Sequence, residues 1–524
     1  WLLLSTTAFE YDEQKRVVRT TRGNGRSSST TWMCCGKLSE TDEDGITTSY
    51  GYNSAHQLVE IIRSEVKDGD VVVTPETITT YTYDAAGRTL TTRRDIGAMT
   101  TTESTAYDAL GRVIRQTDIL GRVTTSEYSE DKLTTTVTPP SGATTITRRN
   151  LDGSTASIFG TAQREVQYIY AVSGNNLVTT TALADGSVLA QNITNGFEQA
   201  IVQAQPNTLG GFIYTHSEYN AKGQLVKQYQ NTGEDTENTA PTLFEYDSFG
   251  NQEKQTLALE DTPTKDNSPV DEMIYSVESA EDGVYSVTTQ TRYNAAGEPL
   301  SATQKQLISQ LSATLASKSI STDVRGNSSV NWSEYTAPTK VSSFSTIPTS
   351  NITAESISID GFTISQKDHA GIITTSSRSY TATGMTMVNV DGRGNATTVH
   401  SDLAGRTISM TDAANATTTT AYDAVHDHPT VVTDTMGNTS CYKYDARGRK
   451  IAEWGTALQP VCFGYDDMDN MTTLRTFRAD NEVITTDPSE RTDGDVTTWA
   501  FNPVTGLEIS KTYADNTTVV KTYD

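Results

Sequence analysis

The sequence is short of apolar side chains. Ala, Val, Ile, Leu, Met, Phe, Trp, Tyr and Cys make up 35% of its 524 residues. Counting the 36 Gly in place of the 24 Tyr brings this only to about 37%, against roughly 45–50% in ordinary domains. That excludes the several dense cores that a chain of this length would otherwise need. Disorder is excluded too, because the abundant Tyr, Thr, Val and Ile are strand formers. Long hydrophobic runs are missing. The apolar start, Trp1 to Leu4, is far too short for a signal-peptide core or a spanning helix, and no later segment reads as a membrane span. Basic residues are scarce: 40 Lys and Arg face 65 Asp and Glu, for a formal charge of −25. Such a field repels phosphate backbones, so nucleic acid is not an expected partner; solubility of a long β protein is the plainer reading.

What the chain does have is repetition, which outranks every other signal of fold. Tyr83-Asp84-Ala-Ala-Gly87-Arg88 is followed by Tyr107-Asp108-Ala-Leu-Gly111-Arg112. The series continues through Tyr219 to Gly223, Tyr246-Asp247-Ser-Phe-Gly250, Tyr293 to Gly297 and Tyr444-Asp445-Ala-Arg-Gly448-Arg449. Copies without the tyrosine run from Asp118 to Gly121 and Arg122, Asp323 to Asn327, Asp391 to Asn395, Asp402 to Gly405 and Arg406, and Asp434 to Gly437 and Asn438. Asp or Asn, two variable residues, then Gly is the pattern of a type I turn. The first side chain caps backbone N–H groups, and the glycine takes the positive-φ position of a bulged hairpin. Gly111 and Gly121 are 10 positions apart, which leaves about six residues, or roughly 20 Å, for a strand. Tyr444 and Tyr465 are 21 apart, room for two strands and two turns, so the repeat is one hairpin.

Strand alternation is soft: Val113, Arg115 and Thr117 share one face, Arg112, Ile114 and Gln116 the other. Mixed faces fit a single-layer sheet rather than a sandwich. Tyrosine before the turn is expected to stack on the equivalent ring of the next hairpin with its hydroxyl wet. The expected fold class is therefore all-β, with antiparallel hairpins in a continuous curled sheet spiralling into part of a hollow shell. The array reads as one continuous unit truncated at both ends. Its motifs are dense over 1–130, degenerate with longer loops over 131–379, and regular again over 380–524. Gln304 to Leu315 fits a strand at least as well as a short helix.

These tyrosine-aspartate hairpins, at Tyr83 to Arg88, Tyr107 to Arg112 and Tyr444 to Arg449, resemble the YD repeats of the RHS family. The likeness covers most of the chain, most strongly its outer thirds. Members include bacterial polymorphic toxins, shell components of insecticidal toxin complexes and the teneurins of animals. The resemblance implies a β-sheet spiral wound into a hollow cocoon, which in the bacterial toxins holds a C-terminal toxin until delivery. It also implies a secreted or cell-surface location with the export signal outside this fragment, and partnership with the remainder of a longer chain, its core and toxin tip. Carbohydrate binding at cell surfaces is attributed to some relatives. The family's Asp-Pro-x-Gly-Leu autocleavage signature is missing; the nearest string, Asn502-Pro503-Val-Thr-Gly506-Leu507, lacks the aspartate and reads as one more turn. Neither toxin nor autoprotease is assigned.

Candidate chemistry is sparse, and each candidate has a plainer reading. Cys441 and Cys462 precede repeat tyrosines by three residues, so they sit two strands apart, about 9.5 Å, beyond the ~7 Å a disulfide allows. The adjacent pair Cys34-Cys35 reads as packing. His426-Asp427-His428 is the one tight metal-like cluster, more simply a polar loop beside Pro429. Most aspartates are explained as turn caps, and no nucleophile triad, phosphate loop or metalloprotease helix appears. The chain is therefore read as a non-enzymatic structural segment without cofactor or metal. The alternative is a glycan-binding adhesion module using Trp32, Trp332, Trp454 or Trp499.

Overall fold

The computed structural model describes residues 6–34, 36–207, 210–232, 240–259, 269–293, 298–310, 312, 314–337, 339–346, 353–477 and 486–523. Over these the chain is strand and turn, with no helix. Its Thr-, Ser- and Val-rich runs suit a pleated surface wet on both sides. They assemble into one 43-stranded antiparallel sheet. Each strand pairs with its neighbours in the chain, from Thr7–Tyr11 against Val17–Arg22 to Glu508–Thr512 against Thr518–Val520. One excursion interrupts the meander. Leu58–Arg63 pairs directly with Thr77–Tyr83, and the small hairpin of Val66–Asp68 and Val71–Thr74 stands out between them.

The ladder runs through the degenerate middle of the sequence, where strands lengthen: Val270–Ala280, Gly283–Tyr293 and Pro299–Gln310 pair in succession. Gln304 to Gln310 is thus strand. Gly297, with Asn294 to Ala296, lies outside the described residues.

The ribbon is thin. A compact protein of 56.9 kDa exposes roughly 19,000 Å², whereas this chain exposes 30606 Å². About 1.6 times the globular surface is the mark of a single layer.

The ribbon nevertheless meets itself. Asn24 lies against Gln310, Arg63 against Asp360, Arg378 against Thr74, Arg122 against Asp427 and Arg447 against Thr161. Separations fall between 286 and 305 positions, and both partners advance along the chain together. A ribbon folded back on itself would pair rising with falling numbers. The sheet therefore curls as a spiral, each winding consuming about as many residues as those separations.

In a meander, successive turns fall on opposite rims. The turns at Asp84, Asp108, Asn220, Asp247, Asp402, Asp423, Asp445 and Asp466 share one rim with the tyrosines that precede them. The turns at Asp118, Asp323, Asp391 and Asp434 share the other. The repeat copies with tyrosine lie on the first, here the tyrosine rim, except Tyr293, whose strand ends on the other; copies without it lie on the plain rim, Asp402 excepted. Every cross-winding contact named above joins the plain rim of the first winding to the tyrosine rim of the second.

Candidate functional site

The repeat turn is a small hydrogen-bonded machine. At Asp84, Oδ1 accepts from the amides of Ala86 and Arg88, and Oδ2 accepts from Arg88 Nε at 2.6 Å. The Gly87 amide donates to the Asp84 carbonyl, and φ at Gly87 is +83°. A β-bulge follows in the register of Thr89 against Tyr83. Asp108, Asp118, Asp402 and Asp445 repeat this pattern with Arg112, Arg122, Arg406 and Arg449. The backbone amide of Arg88 is the main cause that holds the Asp84 carboxyl below the usual carboxylate value, followed by its side chain, with burial opposing.

The fifth turn residue matters as much as the first, which the motif reading passed over. Where arginine is absent, asparagine closes on aspartate: Asn251 on Asp247, Asn327 on Asp323, Asn438 on Asp434. At three turns opened by asparagine, glutamine closes: Gln57 with Asn53, Gln199 with Asn195, Gln224 with Asn220; at Asn150 the closing residue is Ser154. In the turns closed by a long side chain, the anion takes a cation or amide and the neutral amide takes a longer amide. That covariation of first and fifth residues was visible in the sequence.

The closing residue also reaches the next hairpin. Arg88 lies over the ring of Tyr107 at 4.7 Å, Arg112 over Tyr128 at 4.2 Å, Arg406 over Tyr422 at 4.7 Å and Arg449 over Tyr465 at 4.9 Å, all within cation–π range. Gln224 donates instead to the Gly250 carbonyl. The ring is anchored from behind: the hydroxyls of Tyr128, Tyr444 and Tyr465 donate to the carbonyls of Val113, Pro429 and Lys450, each 15 positions earlier. Tyrosine-on-tyrosine stacking with a wet hydroxyl is thus corrected for these repeats. A ring set between a guanidinium and a backbone acceptor meets both needs at once, which ring-on-ring stacking does not. Trp32 belongs to the same lattice, its Nε1 donating to Val17, again 15 back, under Arg16.

Between windings lies a seam with two built points. At the first, Val66 and Val73 of the excursion hairpin pack with Ile46 and with Ile359, which is 1% exposed, beside Phe362 and Ile364. Arg63 grips Asp360 through two hydrogen bonds, Lys340 pairs with Asp68, and Arg378 reaches Thr74 while lying over Phe362. At the second, Asp427 accepts from Arg122 at 2.7 Å and from Arg406 at 2.9 Å. Its turn is one residue longer than its neighbours, closing from the Asp423 amide to the His428 carbonyl, and Asp427 itself takes φ of +56°. His426 is held by Asp423 at Nδ1 and faces the Ala446 carbonyl at Nε2, while His428 packs on His426 and Tyr444. No cluster of metal-ligand type occurs among the described residues. The histidines instead shape the loop that presents Asp427.

A cavity of about 630 Å³ crosses the strands near the seam. Its sides are two cross-strand rows, Ser317-Ser333-Ser343-Ser356-Gln366 and Ser319-Asn331-Ser345-Ala354. The row between them holds Lys318, Trp332, Phe344, Glu355 and Lys367. That row lines the cavity as well, and its Trp332 and Phe344 rings stack on each other, 4.9 Å apart. Lys511 lies over Trp499, and Trp454 sits opposite Cys441 across the ladder. Cys441 and Cys462 are free thiols, with Lys450–Trp454 between their strands. Cys34 is disulfide-bonded, which corrects the packing reading for that residue; Cys35 lies outside the described residues.

Comparison with known proteins agrees with this geometry. The RHS Repeat family model matches residues 107–144. No curated protein matches the sequence. Among solved structures, the Tc holotoxin pore of Photorhabdus luminescens overlays 98% of this chain on 34% of its own, with a TM-score of 0.51 at 8% identity. The TcdB2-TccC3-Cdc42 and TcdB2-TccC3 structures overlay 98% of it on 34% and 32% of theirs, with TM-scores of 0.46 and 0.44, each at 10% identity. The chain thus spans about a third of the length of the structures it matches. Residues 107–144 carry an RHS repeat, and the fold of the chain resembles that of the Tc holotoxin pore.

Proposed function

We propose that this chain is a non-catalytic wall segment of a secreted or cell-surface β-shell, enclosing or presenting an effector carried elsewhere on a longer polypeptide. The observation that carries this reading is the seam: a single-layer ribbon whose second winding docks on its first, as a wall must to enclose volume without a core. The repeat chemistry supports it. The aspartates that a hydrolase would draw on are committed to turn caps, and the tyrosines to the joints between hairpins.

Small-angle scattering on the isolated chain tests the reading. A packed globule of 524 residues has a radius of gyration of about 24 Å. A wall segment gives a distinctly larger value and a pair-distance distribution weighted to long vectors. A value near the globular one, with a single compact peak, would sink the proposal.

A further inference from the structure

One piece of the seam does not belong to the strand ladder. Leu58–Arg63 pairs directly with Thr77–Tyr83, so the sheet closes beneath the hairpin of Val66–Asp68 and Val71–Thr74, which forms a two-stranded sheet of its own. We propose that this hairpin is a latch: seated, it holds the first winding to the second, and withdrawn, it lets the windings part with the ladder intact. The proposal rests on the wall reading and deepens it, naming the place where such a wall opens.

The first observation is where the apolar contact lies. Among the described residues, the one cluster of buried apolar side chains is at this hairpin. Val66 and Val73, 4% and 8% exposed, pack there with Ile46 of the first winding and with Ile359, Phe362 and Ile364 of the second. Elsewhere along the seam the windings are joined by single polar side chains, Asn24 on Gln310, Arg122 on Asp427 and Arg447 on Thr161, and by Arg26 over the Tyr335 ring. Polar contacts of this kind are weak in water, because each group gives up hydration to form them. Burial of apolar surface therefore concentrates the grip at the latch.

The second observation is that the hairpin has no core of its own. Two strands alone are marginal in water, and its other two valines, Val71 and Val72, are 67% and 38% exposed. What seats it comes from outside. Besides the cluster, Lys340 pairs with Asp68 at 3.2 Å, and Arg378 reaches the Val73 carbonyl and the Thr74 hydroxyl, both from the second winding.

The third is that unseating the hairpin breaks no ladder bond, since Arg63 and Thr77 stay paired at its foot. An element held by few contacts outside the main sheet is the kind that opens locally before the rest unfolds.

Scattering and circular dichroism along one urea titration test the latch. In the native chain the radius of gyration should rise, as the windings part, at lower urea than the ladder loses its ellipticity. Val73→Asp places a charge in the cluster and should shift the balance towards the unseated form by about a hundredfold or more. It should enlarge the radius without urea and leave the ladder's own transition in place. A second variant replaces Ser64 to Glu76 by Asn-Gly, a tight turn that the paired Arg63 and Thr77 accept. It removes the latch outright, should enlarge the radius in the same way, and answers the question if the aspartate variant fails to fold. A radius unchanged by loss of the latch, in protein with native ellipticity, overturns the proposal. If that unchanged radius is well above the globular value, the latch falls and the wall stands; if the native radius is itself globular, the wall reading falls with it.

Discussion

Arg63 holds Asp360, 297 positions further along the chain, with Nη2 to Oδ1 at 2.5 Å and Nη1 to Oδ2 at 3.1 Å. Both side chains are partly buried, and Asp360 sits at φ of +50° at the tip of the Ile359–Phe362 turn. This pair, with the Val66–Ile359 cluster beneath it, fastens one winding to the next. Paired guanidinium and carboxylate in two parallel bonds is the arrangement in which arginine is most selective.

Removing the guanidinium should therefore loosen the spiral rather than a hairpin. Arg63→Ala is expected to cost about 1–2 kcal/mol, less than a fully buried pair because both groups keep some solvent. Urea unfolding reads the loss, and limited proteolysis should show earlier cleavage at the Val66–Thr74 hairpin. Arg94→Ala, on an exposed strand position, is the control. Equal sensitivity in the two variants would mean that the seam adds nothing.

The joint between hairpins is tested at Tyr444. Its hydroxyl donates to the Pro429 carbonyl at 2.9 Å, and Tyr444→Phe removes that bond while keeping the ring. A loss of about 1 kcal/mol is expected, with hydrogen exchange faster in Pro429–Thr433 and Lys450–Trp454. No change in either would leave the ring, not the hydroxyl, as the joint.

Turn glycines are required by conformation, and some repeats do without them at a cost. Glu198 occupies the glycine position of its turn at φ of +62°. Glu198→Gly should relieve roughly 1–2 kcal/mol of strain against about 0.5–1 of added chain entropy, a net gain of about 0.5–1 kcal/mol. Gly87→Ala, at φ of +83° with Gln57 3.2 Å from the added carbon, should lose about 1 kcal/mol or more. Thermal melts of the two should move in opposite directions.

Acid should undo the turns together. Side-chain hydrogen bonds from Asn327, Asn395 and Asn438 lead the causes that hold Asp323, Asp391 and Asp434 below the usual carboxylate value, and the Arg88 amide leads at Asp84. A depressed folded value means stability that is present above the unfolded value, about 3.9, and lost as pH falls through the folded one. Urea midpoints should stay level from pH 7 to about 5 and drop steeply below about 4. A midpoint that rises on acidification would contradict the cap assignment.

The hairpin, the turn type and the all-β class were legible because they rest on bonds between residues four apart. Asp84 and Arg88, or Asn220 and Gln224, declare their pairing within five letters of sequence. Even the missed role of the fifth residue was written there, in the exchange of Asp-Arg for Asn-Gln. The free thiols Cys441 and Cys462 were legible for the same reason, since equivalent places in successive hairpins stand two strands apart.

The tertiary structure decided the rest. Nothing local marks Arg63, Asp360, Arg122 or Asp427 as seam residues, because their partners lie 297 and 305 positions away and depend on how tightly the ribbon curls. The tyrosine ring was read as a partner for other tyrosines, yet strand twist and curl set it under a guanidinium and behind a carbonyl. Short-range hydrogen bonds fix what each hairpin is; the accumulated curvature of many hairpins fixes which rims meet, and no single repeat carries that information.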